Sequence, residues 1–130
     1  MTGRSPDEDA VLSTCQAFLD GIKNKNKAAM LAQIIPEGSG ILSRPDQTLH
    51  LSLAAVVERI PFDAPQQLEE PIYDPLIRID HDLAMLWARY DFFIDGSLHH
   101  VGANIFSLLK RDDRWLISGV ADTWRKPDTP

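Results

Sequence analysis

The hydrophobic positions of this chain change period once along its length. In stretches before Pro61 they recur at helical spacing, and from Ile72 to Trp124 they alternate as in strands. Ser5-Pro6-Asp7-Glu8 has the makings of a helix start: Ser5 can cap, Pro6 suits the first helical position, and the acids complement the dipole. Val11, Leu12, Cys15, Phe18, Leu19 and Ile22 then mark one buried face. Asn24 to Asn26 breaks that helix, and a shorter one is predicted over Lys27–Ile34, ending before Pro36-Glu37-Gly38. Gly40–Arg44 reads as a short strand, followed by a turn at Arg44-Pro45-Asp46-Gln47. Ser52 caps a third helix, Leu53–Ile60, and Pro61, Pro65 and Pro71 mark an irregular connection.

Ile72 to Trp124 reads as three long strands joined by tight turns. Asp95-Gly96 between alternating apolar runs is a two-residue type I′ hairpin signal. Counting back from it places Ile94 opposite Ser97, Phe93 opposite Leu98, Asp91 opposite His100, Arg89 opposite Gly102, Trp87 opposite Asn104 and Met85 opposite Phe106. A turn centred on His81-Asp82 places Leu76 opposite Trp87, Asp74 opposite Arg89 and Ile72 opposite Asp91. A turn near Asp112-Asp113 sets Leu108 beside Ile117, with Phe106, Gly119, Asn104 and Ala121 on the same face.

In this register one face has two zones. Met85, Phe106, Leu108, Trp115 and Ile117 form an apolar end that packs on the helices. Asp74, Arg89, Asp91, His100 and Asn104 form a polar end near Trp87, where Gly102, Gly119 and Ala121 leave space. Inward charges need partners, and both ion pairs fall directly across from each other. The opposite face carries Ile77, Ile79, Leu86, Ala88, Tyr90, Phe92, Val101, Ala103 and Ile105. An apolar outer face of that extent predicts a partner, most simply a second copy related by a two-fold axis.

At 130 residues the chain is long enough for one domain, with loose tails expected at about 1–6 and 126–130. A net charge of −6, with no Lys/Arg stripe beyond the short Lys23–Lys27 run, argues against nucleic-acid binding. Cys15 is the single cysteine, which excludes an intrachain disulfide and a thiolate metal cluster. No apolar run approaches the roughly 20 residues of a membrane span, and Met1 to Asp9 lacks the apolar stretch of a signal peptide. A soluble cytoplasmic protein is expected.

Leu83-Ala84-Met85-Leu86-Trp87-Ala88, Tyr90-Asp91-Phe92, Asp95-Gly96, His100-x-Gly102, Phe106-x-Leu108 and Trp115-Leu116-Ile117, behind three helices, resemble the nuclear transport factor 2-like superfamily. The likeness is to its SnoaL-like or lumazine-binding-like branch. It implies an α+β, cone-shaped fold: three N-terminal helices packed on a curved antiparallel sheet with a mixed edge, one apolar cavity, and commonly a dimer. Some members are isomerases, dehydratases or cyclases using Asp, His or Tyr; others are binding or assembly modules. Relatives similar to ketosteroid isomerase carry a Tyr on the first helix and an Asp on the first strand. This chain has Phe18 and Ile41-Leu42-Ser43 there, and Val101 where close relatives show a Cys, so those roles do not transfer.

Asp91 and His100 read as an acid–base dyad or as a salt bridge closing the hairpin end. Asp74 with Arg89 holds the cavity wall, or Arg89 binds a ligand carbonyl or carboxylate. Trp87 is a flat wall, Asn104 an inward amide that orients a ligand oxygen, and Met85 and Phe106 extend the apolar lining. His50 lies at the cone mouth or on the surface, while His81 and His99 point elsewhere, so no metal site is expected. No phosphate-binding glycine loop appears, and no cofactor is expected. The expected function is a pocket for a small apolar or aromatic molecule of polyketide- or terpenoid-like character. Catalysis there would be a cofactor-free isomerisation, cyclisation or dehydration; the alternative is a non-catalytic binding or interaction module.

Overall fold

A computed structural model describes residues 3–127; the rest of the expected tails lies outside the described residues. Helix α1 (Pro6–Lys23) opens with a capping box, in which the Glu8 amide donates to Ser5 Oγ at 3.1 Å and the Ser5 amide to Glu8 Oε1 at 2.7 Å. Ser5 and Pro6 thus belong to the helix start rather than to a tail. Val11, Cys15, Phe18, Leu19 and Ile22 are buried as their spacing predicts. Thr14 Oγ1 donates to the Trp115 carbonyl at 3.1 Å and Trp115 Nε1 donates to Asp7 Oδ1 at 3.2 Å, which pins α1 across the sheet.

Helix α2 spans only Lys27–Leu31, capped by Asn26. The expected extension to Ile34 gives way to strand β1 (Ile34–Arg44), because Ile34 pairs in parallel with Ile117 and Pro36 cannot continue a helix. After the predicted turn comes β2 (Gln47–Ser52), a strand the sequence reading lacks; its short Leu49/Leu51 alternation buries neither residue fully. Ser52 then caps α3 (Leu53–Glu58), accepting the Ala55 amide at 3.1 Å. A two-residue strand β3 (Leu68–Glu69) interrupts the proline-rich connection.

The C-terminal half folds into four strands rather than three: β4 (Ile72–Asp80), β5 (Leu83–Ile94), β6 (Ser97–Arg111) and β7 (Arg114–Asp122). Each of the three predicted turns separates one pair. Asp95 and Gly96 have φ of 52° and 78°, and Asp112 and Asp113 have φ of 50° and 62°, so the last turn takes the same left-handed geometry without glycine. The sheet runs β2-β1-β7-β6-β5-β3, with β4 also on β5; β1 and β7 are parallel and the other pairs antiparallel.

Register counted from each turn holds up to a β-bulge and is then displaced. In the β5–β6 hairpin, Ile94 pairs with Ser97 and Phe93 with Leu98 as expected, but His99 is an extra residue. Beyond it Phe92 meets His100, Asp91 meets Val101, Arg89 meets Ala103, Trp87 meets Ile105 and Met85 meets Ser107. Leu76 meets Trp87 as expected, but Asp74 (φ 50°) and Pro75 then bulge, so Tyr73 faces Arg89 and Ile72 faces Tyr90. Leu108 meets Ile117 as expected, but Ser118 is extra, so Phe106 faces Val120 and Asn104 faces Asp122 rather than Ala121.

A one-residue slip moves a strand's side chains to the opposite face. Ile77, Leu86, Ala88 and Tyr90 are therefore buried under the helices, with Ile79 and Phe92 packed beside them, not outward as the sequence reading has them. Of that expected outer set, Val101, Ala103 and Ile105 alone keep the convex side. Met85, Trp87, Arg89 and Asp91 share it with them, so neither Asp91–His100 nor Asp74–Arg89 forms an ion pair. No helix among the described residues is long and apolar enough to cross a membrane.

Candidate functional site

The concave side of the sheet and the three helices enclose a cavity of about 240 Å³. Phe18, Leu19 and Ile22 of α1, Met30 of α2 and Phe106 of β6 line its apolar part. These positions follow from the helical period of α1 and from the inward alternation of β6.

Its polar part is assembled from five separate places in the chain. Glu70 follows β3; Arg44 ends β1; Tyr90 and Asn104 point inward from neighbouring strands, Tyr90 opposite Gly102 and Asn104 opposite Ala88; Asp122 ends β7. Asn104 is only 3% exposed, and its Nδ2 donates to Glu70 Oε2 at 2.9 Å, so its burial is compensated. Burial pushes the Glu70 carboxyl up to about 7; the Asn104 hydrogen bond opposes that rise, the Asp122 charge adds to it and Arg44 opposes it. Arg44 grips Asp122 with Nη1 at 2.7 Å and Nη2 at 3.4 Å. Burial raises the Asp122 pKa and the Arg44 hydrogen bond works against it.

Tyr90 donates its hydroxyl to the Thr123 carbonyl at 2.6 Å, and burial pushes its phenol up. Gly102 makes this possible: a Cβ there would collide with the Thr123 carbonyl oxygen and come within 2.9 Å of Tyr90 Cε2. His100 is stacked between Phe92, with ring centres 4.7 Å apart, and Trp124, at 4.8 Å. Burial, then the charges of His99, Arg44 and Lys126, hold its imidazole down to about 4, so it is neutral at pH 7.

Of the residues singled out in the sequence, His100, Asn104 and Phe106 line this cavity. Asp91, Trp87 and Arg89 sit on the convex face, Asp74 lies exposed in its bulge, and Met85 lines a shallow apolar depression with Leu83 and Arg78. The displacement by the His99 and Asp74 bulges accounts for all five. His50 is an exposed residue beside Ile41 on the convex face. Sequence reasoning passed over Glu70, Tyr90, Arg44, Asp122 and Trp124. Tyr90 carried a signal, since it continues the Leu86-Ala88 stripe; Glu70, in a connection without periodicity, carried none.

The arrangement offers a carboxyl group poised at neutral pH, a guanidinium that can meet a ligand oxygen, and apolar walls that exclude water.

This is the nuclear transport factor 2-like (NTF2-like) fold, also described as cystatin-like, and similar solved structures repeatedly carry the first description. A protein of unknown function with a cystatin-like fold from Nostoc punctiforme matches with a TM-score of 0.75 at 12% identity, covering 100% of this chain and 98% of that one. An NTF2-like protein from Streptomyces avermitilis, provisionally described as a dehydratase, matches at TM-score 0.73 and 13% identity over 92% and 97% of the two chains. A protein from Exiguobacterium sibiricum, provisionally described as a Ca/calmodulin-dependent kinase II association domain, matches at 0.77 and 11% over 98% and 100%. No protein-family model matches the sequence, and neither does any curated protein.

Proposed function

We propose that this chain binds a small, largely apolar or aromatic molecule in the cavity and moves a proton on it without a cofactor, as an isomerase, cyclase or dehydratase does. The observation that carries this reading is Glu70, a carboxyl group in the cavity wall, held near pH 7 and oriented by buried Asn104. A base works best with a pKa near the operating pH, which favours Glu70 over His100 at about 4. In the simplest step the Glu70 carboxylate takes a proton from a carbon next to a ligand carbonyl. The C–H electron pair becomes a new C=C bond as the carbonyl π pair moves onto oxygen, Arg44 meets the developing charge, and protonated Glu70 returns the proton at another carbon of the conjugated system. Arg44 thus takes the anchoring role expected of Arg89, and Asn104 is a positioning residue. The provisional dehydratase description of the Streptomyces avermitilis protein is compatible with such chemistry.

A second copy covers the convex face in this reading. Leu76, Trp87, Ile105, Ala121 and Ile41 stand in one row across five adjacent strands. Leu76, Ile105 and Ile41 are 45%, 46% and 42% exposed in the single chain.

Mass spectrometry of small molecules extracted from the purified protein identifies the ligand class. With that ligand, Glu70→Gln is expected to lower turnover by about 10²–10⁴-fold while affinity is kept. Unchanged turnover sinks the assignment of Glu70, and recovery of the ligand unaltered by the wild-type protein favours the binding-module alternative. Light scattering should give a dimer for the wild type and a monomer for Ile105→Lys.

A further inference from the structure

The cavity carries one charge that the proton-transfer chemistry does not use. Besides Tyr90, its ionisable lining is Arg44, Arg59, Glu70, His100 and Asp122. Arg44 and Asp122 neutralise each other in a two-pronged ion pair. His100 is neutral between its two rings, and Glu70 is near its midpoint at pH 7. Arg59 is left over. It caps the C-terminal end of α3 and is exposed at the cavity edge.

Two observations set Arg59 apart from the polar cluster. Arg59 stands on α3, an element that carries none of the other ionisable lining residues: Glu70 follows β3, Arg44 ends β1 and Asp122 ends β7. Its sequence neighbour Glu58 is engaged by Lys27, and no ion pair to Arg59 forms among the described residues. An unmatched guanidinium at the edge of an apolar cavity stands out in a chain whose net charge is −6, since such a chain otherwise repels anions.

Building on the reading of the cavity as a ligand site, we infer that its ligand is an amphiphilic monoanion: a flat apolar body inside the cavity and a carboxylate at the edge, received by Arg59. The two ends of the ligand then serve different purposes. The carboxylate sets orientation through a planar, fork-shaped donor, and the body presents its reacting carbons to Glu70.

The probes are 2-naphthoate and its uncharged methyl ester, with affinities measured by titration calorimetry at low salt. The wild-type protein is expected to bind naphthoate about fivefold more tightly than the ester, the size of one partly exposed charge pair. Arg59→Gln should remove that preference, Arg59→Lys should keep part of it, and added salt should shrink it. Equal binding of the two probes by the wild type, or a preference that survives in Arg59→Gln, overturns the assignment of an anionic ligand and leaves the cavity reading standing. If the folded wild-type protein binds neither probe, the cavity reading falls and this inference falls with it.

Discussion

The two faces of the sheet reverse the usual division of labour. The concave face, shielded by helices, holds two hydrogen-bonded pairs, Glu70 with Asn104 and Arg44 with Asp122. The convex face, open in the single chain, carries Leu76, Trp87, Ile105 and Ile41 in a cross-strand row. Buried charge is tolerated inside because every buried side-chain polar atom among the described residues has a hydrogen-bond partner. Apolar surface outside has no such compensation within the chain. The contrast separates two kinds of need: the inner face is chemically complete but hollow, and the outer face is solid but uncovered.

The sharpest test of this contrast uses two neighbours in sequence that face opposite ways. Phe106 is 1% exposed and meets Phe18 edge-on at 6.2 Å, whereas Ile105 is 46% exposed. Phe106→Ala is expected to destabilise the chain by about 3–5 kcal/mol in urea unfolding, and Ile105→Ala to change the stability of the single chain by no more than about 0.5 kcal/mol. Comparable losses at both sites would break the assignment of faces.

Glu70 gives the next largest effect, and its sign is determined. Its folded-state pKa, about 7, lies above the 4.5 of an unperturbed glutamate, so the folded state holds its proton more tightly than the unfolded chain does. The stability it contributes is full below pH 4.5 and is lost as pH rises through about 7. Unfolding free energy of the wild type should fall by about 1–3 kcal/mol relative to Glu70→Gln between about pH 5 and pH 8. A parallel pH dependence in the two proteins would show that Glu70 titrates normally and remove the base from the proposed chemistry.

The smallest effects are expected at Arg89 and Asp91 on the convex face. Arg89→Ala and Asp91→Asn should each alter single-chain stability by no more than about 0.5 kcal/mol and leave ligand affinity unchanged. A loss of ligand binding in either variant would restore the pairing of Asp91 with His100 that a bulge-free ladder implies.

These residues also show how far the sequence can be read. The turns were legible, since Asp95-Gly96 and Asp112-Asp113 need left-handed backbone and their flanks alternate cleanly. Pairs next to each turn, such as Phe93 with Leu98 and Leu108 with Ile117, followed correctly. What lay beyond a bulge did not follow, because one extra residue inverts every later facing while leaving the alternation itself intact. His99 carries no mark distinguishing it from a regular strand residue. So β6 was oriented correctly, and His100, Asn104 and Phe106 with it, while β5 was turned over, taking Asp91, Arg89, Trp87 and Met85 to the wrong side.

The sequence by itself determined the helix start at Ser5, the buried stripe of α1, the cap at Ser52 and the turns of the sheet, all set by contacts within a few residues. The tertiary structure alone decided which charges meet. Glu70 reaches Asn104 across 34 positions and Arg44 reaches Asp122 across 78. Such pairs depend on three bulges and on the parallel docking of β1 against β7, long-range geometry that leaves no local period in the chain.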